Sequence, residues 1–132
     1  MRHRLFTLEE ANELVPWLEA TFQRLVPTQE ELTALQSRLL VLQRQRRSNG
    51  ASSSQSEVTQ VQEEQDRLVQ RFEESIREIT NQGILVRDVA RGLVDFPSIR
   101  EGREVYLCWI GGEEQIEFWH ETDLGFAHRQ PL

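Results

Sequence analysis

Ile79-Thr80-Asn81-Gln82-Gly83-Ile84-Leu85-Val86-Arg87-Asp88-Val89 is the stretch on which the reading of this chain turns. Up to Gln82 the apolar residues keep helical spacing. Past Gly83 they run together as Ile84, Leu85 and Val86, which is the habit of a strand. Gly83 is a good helix stop, because glycine enters the left-handed conformation that ends a helix without steric cost. The chain therefore divides at this point into a helical part and a β-rich part. The fold expected is α+β.

Working back from Gly83, Val58, Val61, Leu68, Phe72 and Ile79 hold a heptad-like spacing, with Gln65 and Ser75 at two of its core positions. They predict a helix over 56–82. A matching series precedes it. Ala11, Leu18, Leu25, Leu32 and Leu39 are seven residues apart, with Leu14, Leu35 and Leu42 at the companion position. Such a seam is what two long packed helices or a coiled coil require. Thr7-Leu8-Glu9-Glu10 reads as a capping box, so the first helix should begin at Leu8. Pro16 and Pro27 each lack an amide and crowd the preceding turn, so kinks or breaks are expected there. Between the two series lies Ser48-Asn49-Gly50-Ala51-Ser52-Ser53-Ser54, which is polar and uncharged. It predicts a flexible tip over 48–55 that closes a long antiparallel helical hairpin over 1–82.

Forward from Gly83, Asp95-Phe96-Pro97 and Glu101-Gly102-Arg103 read as turns. Val105-Tyr106-Leu107-Cys108-Trp109-Ile110 is an apolar run without alternation, as expected of a strand covered on both faces. Gly111-Gly112 then predicts a tight hairpin into Gln115-Ile116-Glu117-Phe118-Trp119-His120. The segment 83–132 should hold a small antiparallel sheet of about three strands, covered on one face by the roots of the helical pair. A single domain over 1–132 is expected.

Composition excludes more than it assigns. The net charge is −7, a poor match to duplex DNA or an anionic membrane, so neither is expected as a partner. All 15 basic residues are arginine. Without lysine there is no Schiff base and no phosphate loop ending in Gly-Lys-Ser/Thr. Cys108 is the one cysteine, which rules out an intrachain disulfide and a cysteine-rich zinc site and suits a reducing cytoplasm. The start of the chain lacks the apolar run of a signal peptide.

Residues that carry chemistry gather near the end. On a strand over 115–120, His120 would share a face with Ile116 and Phe118, leaving Trp119 on a wetter face with Glu117 and Glu121. A histidine on an apolar face needs a partner, and Asp95 or the tail near Arg129 is expected to supply it. Arg87, Arg91, Arg100, Arg103 and Arg129 form a second group, suited to a small anion or to structural ion pairs. The candidate ligand-binding residues are thus His120, Asp95, Arg129, Glu121 and Arg87. Cys108, inside a buried strand, reads as inert.

Arg4-Leu5-Phe6-Thr7-Leu8-Glu9-Glu10-Ala11-Asn12, Gly92-Leu93-Val94-Asp95-Phe96-Pro97, Tyr106-Leu107-Cys108-Trp109, Phe118-Trp119-His120-Glu121 and Gly125-Phe126-Ala127-His128-Arg129-Gln130-Pro131 together resemble the uncharacterised prokaryotic family catalogued as domain of unknown function 2203. The resemblance runs along nearly the whole chain. It implies a fold and no catalytic residue, with the Leu-Val-Asp-Phe-Pro, Trp-His and Gly-Phe-x-x-Arg-Gln-Pro pieces as hallmarks.

The function expected from these residues is that of a non-enzymatic interaction or scaffold protein working through its helical hairpin, with no cofactor. Leu39-Leu40-Val41-Leu42 is apolar all round, more than one partner helix covers, so a homodimer is expected. The alternative is a small-molecule or metal-binding protein, an enzyme included, with its site around His120, Asp95 and Arg129. One prediction concerns the tip. Replacing 48–54 with a short Gly-Ser linker should leave the melting temperature almost unchanged, because polar loop tips tolerate replacement. Loss of several degrees in a thermal melt would show that the tip is packed.

Overall fold

The computed structural model describes residues 4–49 and 53–132. Three helices come first: α1 (Leu8–Glu13), α2 (Val15–Asn49) and α3 (Ser53–Thr80). Five strands follow: β1 (Leu85–Asp88), β2 (Leu93–Arg100), β3 (Arg103–Trp109), β4 (Phe118–Glu121) and β5 (Gln130–Pro131). A 3-10 turn at Phe126–His128 precedes β5. All neighbouring strands are antiparallel, in the order β1-β2-β3-β4-β5. The molecule is α+β.

The helix signals act where the sequence placed them. Thr7 caps α1 by accepting from the Glu10 amide, and the Glu10 carboxylate accepts from the Thr7 amide at 2.9 Å. The chain turns at Leu14, just before Pro16. Pro16 then sits in the first turn of α2, where its missing amide costs nothing. At Pro27 there is no break: the helix runs through it, with Leu25 and Leu35 buried on either side. Gly83, at φ 93°, ends the helical part. Helix occupies most of the stretch read as a tip, since α2 reaches Asn49 and α3 starts at Ser53. The centre of that stretch, residues 50–52, lies outside the described residues.

Two buried clusters hold the molecule together. Leu35 and Leu42 of α2 meet Val58, Val61 and Leu68 of α3 along the free length of the helical pair. Nearer the sheet, Phe6, Ala11, Val15, Leu18, Phe22, Leu25 and Ile79 pack on Val94, Phe96, Val105, Leu107, Trp109 and Trp119. Each such side chain contributes about 1.5–3 kcal/mol relative to exposure.

The sheet has five strands where about three were expected. Asp95-Phe96-Pro97 is strand, not turn, and β2 continues to Arg100. Pro97 fits because β1 pairs with β2 only as far as Asp95, so the missing amide of Pro97 faces an open edge. Its carbonyl accepts from the Phe6 amide at 2.7 Å on that side. Glu101 and Gly102 make the two-residue turn into β3, both at positive φ (53° and 78°). The hairpin expected at Gly111-Gly112 is instead a longer connection, and β4 begins only at Phe118. Glu113 folds that connection back, accepting from the Trp109 indole at its carbonyl and from the Ile110 amide at its carboxylate. The Asn12 side chain takes the Ile116 amide at 2.7 Å.

Register settles the faces. Phe96, Leu107 and Trp119 are opposite one another and turn toward the helices. Asp95 faces Cys108, and Tyr106 faces His120, on the far side. The expected faces of 115–120 are thereby exchanged. Trp119 is in the core, and His120 leaves it. Ile116 lies outside β4 and reaches the core from the connection.

Continuity through Pro27 has a measurable consequence. A proline inside a helix is about 3 kcal/mol less favourable than alanine, so Pro27→Ala should raise stability by about 1–3 kcal/mol in urea unfolding. An unchanged or lower midpoint would mean that α2 needs a bend there.

Candidate functional site

Three adjacent strands deliver three side chains to one point on the far face of the sheet. Asp95 (β2) and Cys108 (β3) are direct cross-strand partners, and His120 (β4) stands one pleat along. Their potential ligand atoms, a carboxylate oxygen, Sγ and a ring nitrogen, lie within 4.8 Å of one another. All three residues are at most 3% exposed.

The protons of this cluster follow from its partners. His120 Nδ1 is 2.9 Å from the Glu121 carbonyl oxygen, and Nε2 is 2.9 Å from Asp95 Oδ1. A carbonyl only accepts, so Nδ1 carries hydrogen. Nε2 and Asp95 Oδ1 stand at hydrogen-bond distance, so the histidine and the carboxylate form one buried pair. Asp95 Oδ2 accepts from Arg87 Nε at 2.9 Å. Burial opposes the Arg87 charge, but the Asp95 hydrogen bond and charge more than offset it and raise its pKa. The Arg87 guanidinium also lies 5.3 Å from the centre of the Tyr106 ring.

Cys108 belongs to the same cluster. Burial, with the Asp95 charge adding to it, pushes its thiol from the ordinary 9.0 up to about 12, while Arg129 pulls the other way. Arg129 reaches over from the tail, donating through Nη2 to the Cys108 carbonyl at 3.1 Å and to Glu113 at 2.7 Å. Its guanidinium stacks on Phe118 at 4.2 Å and Phe126 at 4.9 Å. Among the described residues its buried Nε has no hydrogen-bond partner.

A groove of about 400 Å³ leads from solvent to this point. Asp95, Cys108 and His120 form its floor, Leu93 and residues 122–126 its walls, and Arg87 stands at its mouth with its side chain 45% exposed.

Of the residues singled out from sequence, His120, Asp95 and Arg87 come together as one hydrogen-bonded group. Arg129 is adjacent, on the Cys108 side. Glu121 contributes its backbone carbonyl only. Its carboxylate is on the other face, paired with Arg103, which holds it below the usual carboxylate range. Arg91 stacks on Phe126, and Arg100 on Trp119, so the arginines do not converge on one anion. Cys108 is the member sequence reasoning set aside. The signal that finds it is its register opposite Asp95, which becomes visible only when the strands are paired.

A cysteine with a histidine and an aspartate suggests a nucleophile, but the arrangement opposes it. A nucleophilic thiol needs a lowered pKa and a free base, whereas this thiol is raised and both His120 nitrogens face oxygens. A cation is better suited. Histidines that bind metals donate their other N–H to a carbonyl or carboxylate, and ligating carboxylates are hydrogen-bonded in turn. His120 does the first through Glu121 and Asp95 the second through Arg87.

The protein is thus an α+β chain whose helical pair roots on one face of a meander sheet and whose other face buries an Asp-Cys-His cluster. It belongs to the family described as Uncharacterized conserved protein (DUF2203), which matches residues 4–132. Asp95, Cys108, His120 and Arg129 all fall in the C-terminal stretches that carry the resemblance. No curated protein and no solved structure matches the chain. No described helix is long and apolar enough to cross a membrane.

The raised thiol gives a prediction with a definite sign. A group whose acid form is favoured by folding stabilises fully below its unfolded pKa and loses that contribution as pH rises toward the folded value. The Cys108 contribution should therefore be intact below about pH 9 and decline from there toward 12. In native protein at pH 8, iodoacetamide should leave Cys108 unmodified, while protein in urea should react. Rapid labelling of the native, metal-free protein would contradict the buried, protonated thiol.

Proposed function

We propose that this protein binds one divalent transition-metal ion, zinc by preference, through Asp95, Cys108 and His120. The observation that supports this reading is the approach of three different ligand atoms, from three adjacent strands, to within 4.8 Å of one another in a buried site. Tetrahedral zinc places its N, O and S ligands about 3.3–3.8 Å apart, given bonds of 2.0–2.3 Å. Bringing the cluster to that geometry takes side-chain adjustments on the ångström scale. A thiolate disfavours magnesium and calcium and favours zinc and its softer neighbours. Three protein ligands leave a fourth position, and the groove gives small molecules a path to it.

Metal replaces a proton here. The ion must displace the proton of the buried Cys108 thiol, so its affinity should rise with pH. A second reading, association through the helical pair, is favoured by Leu40 and Val41, which are each 50% exposed.

Cobalt titration of metal-free protein at pH 7 and 8 tests the proposal. One equivalent should bind, with a sulfur-to-cobalt charge-transfer band and higher affinity at pH 8 than at pH 7. Cys108→Ser and His120→Ala should each weaken binding by at least about 100-fold, since losing a side chain that binds the ion costs more than the 10–100-fold lost when a residue that only hydrogen-bonds a ligand is removed. In the metal-free state His120→Ala should also cost about 1–3 kcal/mol, the range for a broken buried hydrogen bond. Wild-type protein that binds cobalt no better than Cys108→Ser would refute the metal site.

A further inference from the structure

The face of α2 turned away from α3 carries a pattern that the helical pair does not use. Glu30, Thr33, Ala34, Ser37, Leu40, Val41 and Arg44 are all exposed and, at about 100° per residue, share one arc of the helix. Leu35 and Leu42, which meet α3, lie on the opposite side. The pattern is symmetric about Ser37 in position and complementary in chemistry. Glu30 and Arg44 each stand seven residues from Ser37, Thr33 and Val41 four, and Ala34 and Leu40 three. Acid thus mirrors base, and small residues mirror large apolar ones.

Neither charge is used among the described residues. Among the described residues Glu30 and Arg44 make no ion pair. No opposite charge stands three or four residues from either of them on α2, so intrahelical pairing is closed as well. The Thr33 hydroxyl is satisfied on its own helix by the Gln29 carbonyl at 3.1 Å. Leu40 and Val41 are each half exposed, on a stretch where the chain from 32 to 56 holds four arginines and no acid.

We infer that this face is built for a second copy of the same chain, packed antiparallel with its two-fold axis at Ser37. About such an axis Glu30 of one copy meets Arg44 of the other, twice. Leu40 and Val41 of each copy settle on Ala34 and Thr33 of the other, where small side chains let the helices approach closely. A two-fold contact must be self-complementary, each patch meeting itself reversed, and this helix face has that property along about 21 Å of its length. The two α2 helices then form the middle of a four-helix layer, with each α3 outside. Opposite charges at both ends set the register and make association salt-dependent.

Charge reversal in sedimentation equilibrium tests this without disturbing the core, since both residues are exposed. The wild type should dimerise, more weakly as salt is raised. Glu30→Arg and Arg44→Glu alone should each weaken dimerisation by at least tenfold, because each places like charges opposite each other at both ends. Mixing the two single variants should form a heterodimer, and the double variant should regain self-association, since both arrangements restore opposite pairs. A wild type that stays monomeric at every concentration would overturn the inference. So would a dimer unaffected by either single reversal, or single variants that lose association and fail to recover it on mixing.

Discussion

One buried carboxylate organises the far face of the sheet. Asp95 sits in β2 with its side chain directed away from the helices, where water no longer stabilises its charge. An unpaired charge in that position costs several kcal/mol. Its neighbours remove the cost. Arg87 of β1 donates to one oxygen, and His120 of β4 hydrogen-bonds the other. Cys108 of β3 lies alongside. Four strands are thus tied to one side chain, and the short outer strands gain partners that their own ladders are too brief to supply.

That arrangement depends on register. In a strand, side chains alternate, so a slip of one residue exchanges the faces. Trp109 and Cys108 are neighbours in β3, yet the first is in the helix-facing core and the second is in the polar cluster. A slip would drive Asp95 and His120 toward Phe22 and Leu18 and expose Trp109. The apolar face and the polar cluster therefore select the same pairing. The β1 bulge between Val86 and Asp88 belongs to the same adjustment, because it lies where Arg87 meets Asp95.

Much of this was legible in the sequence and some was not, for identifiable reasons. Local chemistry was readable: the Thr7 and Glu10 box, the stop at Gly83, and the heptad series that became the seam of α2 and α3. The partnership of His120 with Asp95 was readable too, because a histidine next to apolar residues needs an acceptor. What escaped depends on long-range pairing. Pro97 signals a turn until Phe6 is seen docking on the edge that its missing amide leaves open. β5 is two residues long and has no period to detect. Trp119 and His120 exchanged faces because the connection before β4 is long enough to reset the alternation. Cys108 looked inert because a buried thiol usually is, and only its pairing with Asp95 shows what it is buried against.

The helical pair raises a different question, which is why α2 is as elaborate as it is. A two-helix seam needs one apolar stripe, and Leu32, Leu35, Leu39 and Leu42 already provide it. Burial in that seam says nothing about the identity of residues on the outer side. Helix propensity there would be served by alanine, glutamate, lysine or arginine in any order. Instead the outer side places an acid, small residues, large apolar residues and a base in mirror order about Ser37. The two buried clusters are also distinct, one at the sheet and one along the free helices. Substitutions on the outer face are therefore far from Asp95, and the energetic effects at the two places should add rather than interact. The Asp95-Cys108-His120 cluster and the outer helix face are best understood as separate features of one scaffold, joined by the unbroken run of α2 through Pro27.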